Sequence, residues 1–267
     1  KAEVFYRAIM TQEPRSEASR RDLAFAHFRL GHINRMLEKP EAAAGEYRDA
    51  IARFDALATA FPGNSDYRTA LANAYNWLGE TLRPIPARYA EAEQAYDSAF
   101  ALQQGLAQQE AASPAATTAT GRREELARTH YNRGILRYMH GLAPGQSASM
   151  APAEADFRAA IGQLEPLAGV SDRAAQELAR AYNNLGGLLD QTATQDSNEV
   201  RALWEKAIAL DERLAAKDPS NREYAIELAQ YCNNLAVLLL DRRDIPEANR
   251  RSRQAVDLIE ALSRVAP

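Results

Sequence analysis

The stretch "ELARAYNNLGGLLDQ" (Glu177–Gln191) combines an apolar stripe with a polar pair that helix propensity does not explain. Leu178, Tyr182, Leu185 and Leu189 recur at steps of four, three and four, the period of one face of an α-helix. Asn183 and Asn184 lie well off that stripe. Asparagine disfavours a helix interior by up to ~0.7 kcal/mol against alanine, and Glu, Lys or Gln would serve a merely solvated position better. Further on, "ELAQYCNNLAVLLLD" (Glu227–Asp241) puts Asn233 and Asn234 at the same places.

The two stretches belong to a five-fold series. Its members open with Leu23-Ala24, Leu71-Ala72, Leu126-Ala127, Leu178-Ala179 and Leu228-Ala229, at spacings of 48, 55, 52 and 50 residues. Eight residues after each leucine stands a small residue: Gly31, Gly79, Gly134, Gly186 and Ala236. A second helical segment follows with its own columns. Ala43, Ala92, Ala153, Val200 and Ala248 open it; Tyr47, Tyr96, Phe157 and Trp204 come four residues on, with Ser252 out of pattern; Ala50, Ala99, Ala160, Ala207 and Ala255 follow. Small residues at fixed places let two helices approach closely, and an aromatic one turn away fills the gap beside them.

This small–aromatic–small signature resembles the tetratricopeptide repeat (TPR) over nearly the whole chain. The periods, nearer fifty than the usual ~34 residues, and the repeated "NNL" are similar to the long-helix TPRs of kinesin light chains. They are also similar to the arrays of large bacterial regulatory proteins, often following a Hanks-type serine/threonine kinase domain. The expected fold is therefore all-α: a right-handed superhelical TPR-like solenoid of antiparallel helix pairs, about eleven helices in all. One solenoid is expected over 1–267, with a truncated repeat at 1–15 and repeats at 16–67, 68–121, 122–171, 172–224 and 225–267. In 1–15, "EVFYRAI" has Phe5 and Ala8 at the spacing of Tyr47 and Ala50 and reads as the second helix of a halved repeat.

Local chemistry sets the boundaries. Phe61-Pro62-Gly63-Asn64 and Asp218-Pro219-Ser220-Asn221 stop second helices, and Ser220 with Glu223 reads as a capping box. Ala111–Gly121 reads as a linker between repeats. Arg83–Tyr89, His140–Pro152 and Gln191–Asn198 read as loops inserted within them.

The chain has 267 residues, 46% hydrophobic and 25% charged, with a net charge of -4, so no global basic field argues for nucleic acid or an anionic membrane surface. The longest apolar run, Leu235–Leu240, is far too short to cross a bilayer. Cys232 is the only cysteine, which excludes an internal disulfide and reads as a small buried residue. His27, His32, His130 and His140 make no HExxH or histidine–carboxylate motif. Neither a phosphate-binding glycine loop nor a GxSxG nor a kinase HRD or DFG motif is present. The chain is expected to be no enzyme and to hold no cofactor or metal. Arg242, Arg243, Arg250, Arg251 and Arg253 offer a dock for an acidic partner or phosphate, but they interleave with Asp241, Asp244 and Glu247, which favours the polar outer face of a terminal repeat.

The asparagines point to a binding surface. With about 100° per residue, Arg180, Asn183, Asn184, Gly187 and Gln191 spread opposite the apolar stripe. In a TPR stack the first helices line the concave surface, so this face looks into the groove. The corresponding residues are Asn73, Asn76 and Trp77; Arg128, Tyr131 and Asn132; and Gln230, Asn233 and Asn234. The first repeat departs from the pattern with Phe25, Phe28, Arg29 and His32. A ladder of amides, each both donor and acceptor, suits the backbone of an extended peptide. The resemblance to peptide-clamping TPRs implies ligand contact at Asn132, Asn184 and Asn234, with basic support from Arg128 and Arg180. The competing reading is that the amides bond neighbouring first helices and stiffen the stack.

The expected function is a cytoplasmic, non-catalytic module that binds a protein or extended peptide in its groove. It is read as a regulatory part of a larger bacterial signalling protein. Self-association and autoinhibition of the parent protein's own N-terminal domain are the alternatives.

Overall fold

The computed structural model describes residues 5–6, 16–111, 119–192 and 197–265. These residues form ten α-helices: α1 (Glu17–Met36), α2 (Pro40–Ala60), α3 (Ser65–Leu82), α4 (Tyr89–Ala111), α5 (Ala119–Gly141), α6 (Met150–Leu164), α7 (Asp172–Gln191), α8 (Ser197–Lys217), α9 (Arg222–Asp241) and α10 (Ile245–Val265). No strand occurs among the described residues. Most of the expected halved repeat at 1–15, with Ala8, lies outside them. So do 112–118 of the expected linker and 193–196 of the third inserted loop.

The chain divides into two compact units, Lys1–Leu136 and Arg137–Pro267. In the first, α1 packs on α2, α2 on α3 and α3 on α4; in the second, α6 through α10 pack likewise, each on the next. Contacts between sequence neighbours are what a stack of helix hairpins requires.

The turns explain where helices begin. Ser16 caps α1 in a capping box with Ser19, while Asn64, Ser171 and Asn221 accept backbone N–H bonds at the starts of α3, α7 and α9. The expected box of Ser220 and Glu223 does not form. Asn221 takes the Glu223 N–H at 3.0 Å, and the Ser220 hydroxyl instead donates to Asp218 at 2.6 Å. Adjacent Ser and Asn are both competent caps, and the local turn at Asp218 removes the serine from contention. The first and last hairpins share one tight turn. Glu38 (φ 56°) and Arg243 (φ 61°) adopt the left-handed region, and Lys39 N–H and Asp244 N–H reach back to the Asn34 and Leu239 carbonyls, both at 2.9 Å.

The small–aromatic columns meet inside the hairpins. Tyr47 and Tyr96 are wholly buried and Trp204 nearly so. A Cβ added to Gly31 would lie 2.6 Å from the Tyr47 ring, one on Gly79 2.8 Å from Tyr96, and one on Gly186 2.9 Å from the Trp204 indole nitrogen. Each aromatic thus covers the glycine of its own hairpin, which must lack a side chain. Burying such a ring contributes roughly 1.5–3 kcal/mol. In the last hairpin both columns change together: Ala236 replaces the glycine and Ser252 the aromatic.

Second helices are also braced to each other at equivalent positions. Arg48, one residue after Tyr47, bonds Glu91 of α4 at 2.7 Å; Arg158, one residue after Phe157, bonds Glu199 of α8 at 2.9 Å.

Candidate peptide-binding face

Within each unit, the residues expected to bind lie on the first helices of its hairpins. The 3.6-residue period that buries Leu71, Ala74 and Leu78 of α3 leaves Asn73 and Trp77 half-buried beside them.

In the first unit, two side-chain bonds tie α3 to α5 and a third reaches α5 from Arg83, the residue after α3. Asn76, buried to 1% exposure, donates to the Thr129 hydroxyl at 2.7 Å, and Thr129 in turn meets Gln103 of α4 at 2.8 Å. Arg128 donates to Asn73 at 3.3 Å and also pairs with Glu125. Arg83 donates to Asn132 at 3.2 Å. Tyr131 is half-buried on the same helix.

Trp77 is the centre of a cationic cluster. The Arg35 guanidinium lies 4.5 Å from its ring centroid and Arg128 lies 5.7 Å away, each within cation–π range. His32 packs edge-on at 4.5 Å. Burial pushes the His32 pKa down to about 4, helped by the positive charges of Arg35, Arg29 and Arg128. Arg35 has Glu80 at 3.8 Å, whereas Arg29 is exposed and has no carboxylate partner among the described residues.

Beside this cluster the α1 departure from the asparagine pattern has a structural consequence. Phe25, Phe28 and Phe54 wall a cavity of about 200 Å³ whose rim carries Asp66, Thr69 and Asn73. Phe25 stands edge-on to Phe54 at 5.0 Å and stays 40% exposed.

The second unit is different. Asn183 is buried; its side-chain oxygen accepts from Asn234 at 2.8 Å and its backbone carbonyl accepts from the Trp204 indole at 3.2 Å. Arg180 reaches Glu227 at 2.6 Å and Glu223 at 2.8 Å, and Gln176 also donates to Glu227. Asn184 is half-buried, and Gln230 and Asn233 are exposed on α9. Here the predicted polar columns join α7 to α9. The exposed amides among the predicted residues of this unit, Gln230 and Asn233, are both on α9.

His27, Glu46 and Asp49 come together between α1 and α2, with His27 Nδ1 2.8 Å from Glu46 and 3.7 Å from Asp49. The short contact is a hydrogen bond that satisfies a buried imidazole across one helix pair. Cys232 is buried, and burial pushes its thiol up to about 11. No described helix is long and apolar enough to cross a membrane.

The sequence matches no family model and no curated protein. Among solved structures, the apo form of RapI superposes with a TM-score of 0.52 at 10% identity, over 90% of this chain and 84% of that one. MamA gives 0.50 at 15% identity, over 88% and 97%, and the S. pombe nuclear import adaptor Nro1 gives 0.50 at 14%, over 96% and 86%. At such identities the likeness is one of fold. It agrees with the hairpins described above: the chain has an all-α, TPR-like helical repeat fold.

Proposed function

We propose that this chain is a non-catalytic protein-binding module whose first-helix face takes an extended peptide segment, anchored on the first unit. The cavity walled by Phe25, Phe28 and Phe54 carries this reading. A large aromatic left 40% exposed beside an apolar hollow is a site for a partner's apolar side chain. Arg29, Arg35 and Arg128 favour acidic residues next to that anchor, with Asn73 at the rim to bond its backbone. In the second unit, taken by itself, Asn184, Gln230, Asn233 and Asn234 offer amides to an extended backbone. Membership in a larger bacterial signalling protein, kinase-linked and cytoplasmic, goes with the same reading. It rests on the long repeat period and the recurrent "NNL", and it adds the parent's own N-terminal domain to the candidate partners.

Selection of displayed random peptides on the whole chain tests the proposal. Selected peptides should share an apolar residue flanked by Asp or Glu. Phe25→Ser should weaken them at least about tenfold, the equivalent of 1.4 kcal/mol, and Arg29→Glu should weaken them in a salt-sensitive way. Peptides that bind both variants as tightly as the parent would remove the anchor from the first unit.

A further inference from the structure

The second unit buries an acid that no partner among the described residues satisfies. Asp211 of α8 is 0% exposed, and neither carboxylate oxygen has a hydrogen-bond partner among the described residues. Its place in the repeat makes this stand out. It lies seven residues after Trp204; the residues seven after Tyr47, Tyr96 and Phe157 are Phe54, Gln103 and Leu164. Phe54 and Leu164 fill the position with apolar bulk, and Gln103 satisfies its amide on Thr129 and the Glu125 carbonyl. Asp211 does neither.

The charges around it are unbalanced. Arg180 faces it from α7, and Glu223 and Glu227 face it from α9. Arg180, the cation acting on it among the described residues, is already engaged by both glutamates, at 2.8 Å and 2.6 Å. A carboxylate anion here would lack both water and a free counter-charge, so the neutral acid is the form that fits. Burial, then Glu227, drives its pKa up to about 8 from an ordinary 3.8, against the pull of Arg180.

We propose that Asp211 is a proton-operated latch of the second unit. Protonated, it lies sealed against α7 and α9 and leaves Arg180 to Glu223 and Glu227. Ionised, it competes with those glutamates for Arg180 and loosens α8 from α9, so the first-helix face of this unit changes its charge pattern as pH rises.

The linkage has a definite sign. The folded chain holds this proton to higher pH than the unfolded chain does. Unfolding therefore releases a proton between about pH 4 and pH 8, and stability contributed by the neutral acid is lost as pH rises through that window.

Urea midpoints of the intact chain at pH 5, 6, 7, 8 and 9 test the latch in the parent, Asp211→Asn and Asp211→Leu. Asp211→Leu restores the apolar filling seen at Leu164, and Asp211→Asn removes the titration with little change of shape. The parent midpoint should fall steadily relative to both variants, and both should exceed it at pH 9. Nitrogen-15 spectra of the Arg180 side chain should shift with the same midpoint in the parent and stay flat between pH 6 and 9 in Asp211→Asn. Parallel stability profiles in all three proteins, or an Arg180 signal that ignores Asp211, would overturn the proposal.

Discussion

The contact between Gly31 and Tyr47 makes a prediction with a change of sign. Replacing Gly31 by alanine raises helix propensity by about 0.8–1 kcal/mol. The new Cβ, however, meets three ring atoms of Tyr47 at 2.6, 2.8 and 2.9 Å. Tyr47 has no exposed surface to retreat into, and its hydroxyl is held by His32 at 3.1 Å. Overpacking of this kind costs about 1–3 kcal/mol. The net expectation for Gly31→Ala is therefore a loss of up to about 2 kcal/mol. In a Tyr47→Ser background the clash disappears, leaving the arrangement of Ala236 and Ser252. There the same Gly31→Ala change should be neutral or stabilising by up to about 1 kcal/mol. The coupling energy of the double-mutant cycle should thus be about 1–3 kcal/mol. Urea titrations followed by circular dichroism measure all four proteins. Equal effects of Gly31→Ala in the two backgrounds would refute the claim that ring and glycine share one space.

The amides should separate by burial: Asn76→Ala should cost about 1–3 kcal/mol by orphaning the buried Thr129 hydroxyl, Asn183→Ala should cost less because its partner Asn234 is half-buried, and Asn233→Ala should be neutral or stabilising by up to ~0.7 kcal/mol, all read from denaturant midpoints. His32 holds its proton less well when folded, so its contribution to stability should be present above about pH 6.5 and lost as pH falls towards 4; His32→Gln should flatten the acid limb of a stability–pH profile, and an unchanged limb would contradict the cluster around Trp77. Arg243→Gly should raise stability by about 1 kcal/mol, because the left-handed turn residue there carries a Cβ that glycine lacks. Cys232 should resist a thiol reagent in the folded chain and react at once in denaturant; rapid modification of the native protein would place it at the surface.

The hairpin packing was legible because it is local. Gly31 and Tyr47, or Gly186 and Trp204, lie in one hairpin, so their contact imposes a spacing that recurs and can be counted. The helix stops at Ala60 and Lys217 were equally visible, since Pro62 and Pro219 disfavour a helical residue before them. The capping residue of α9 is not legible in the same way, because the choice between neighbouring Ser220 and Asn221 depends on the conformation of one turn. The partners of the asparagines were beyond reach for a different reason. Asn76 bonds Thr129, 53 residues away, and Asn234 bonds Asn183, 51 residues away. Helical periodicity shows that a side chain leaves the apolar stripe; it does not show which surface the side chain meets. Asp211 escaped notice although its column contains Phe54 and Leu164, because an acid in the polar-looking "ALDERL" (Ala209–Leu214) reads as solvated until the repeats are aligned by their aromatic residues.

Bonding between first helices and contact with a ligand draw on the same columns, and the two units divide them differently. Where α7 meets α9, amides and ion pairs close on one another: Asn183 with Asn234, Arg180 with Glu223 and Glu227. An incoming peptide would have to displace those bonds and replace them like for like, so the gain from each new bond is offset by the loss of an old one and little net free energy is returned. On α1 the same columns carry Phe25, Phe28 and Arg29, and there apolar surface remains for a ligand to cover, beside an exposed arginine with no carboxylate partner among the described residues. Burying that surface needs no prior bond to be broken. The first unit should therefore bind a ligand more tightly than the second, whose own polar columns carry, through Asp211, a dependence on pH.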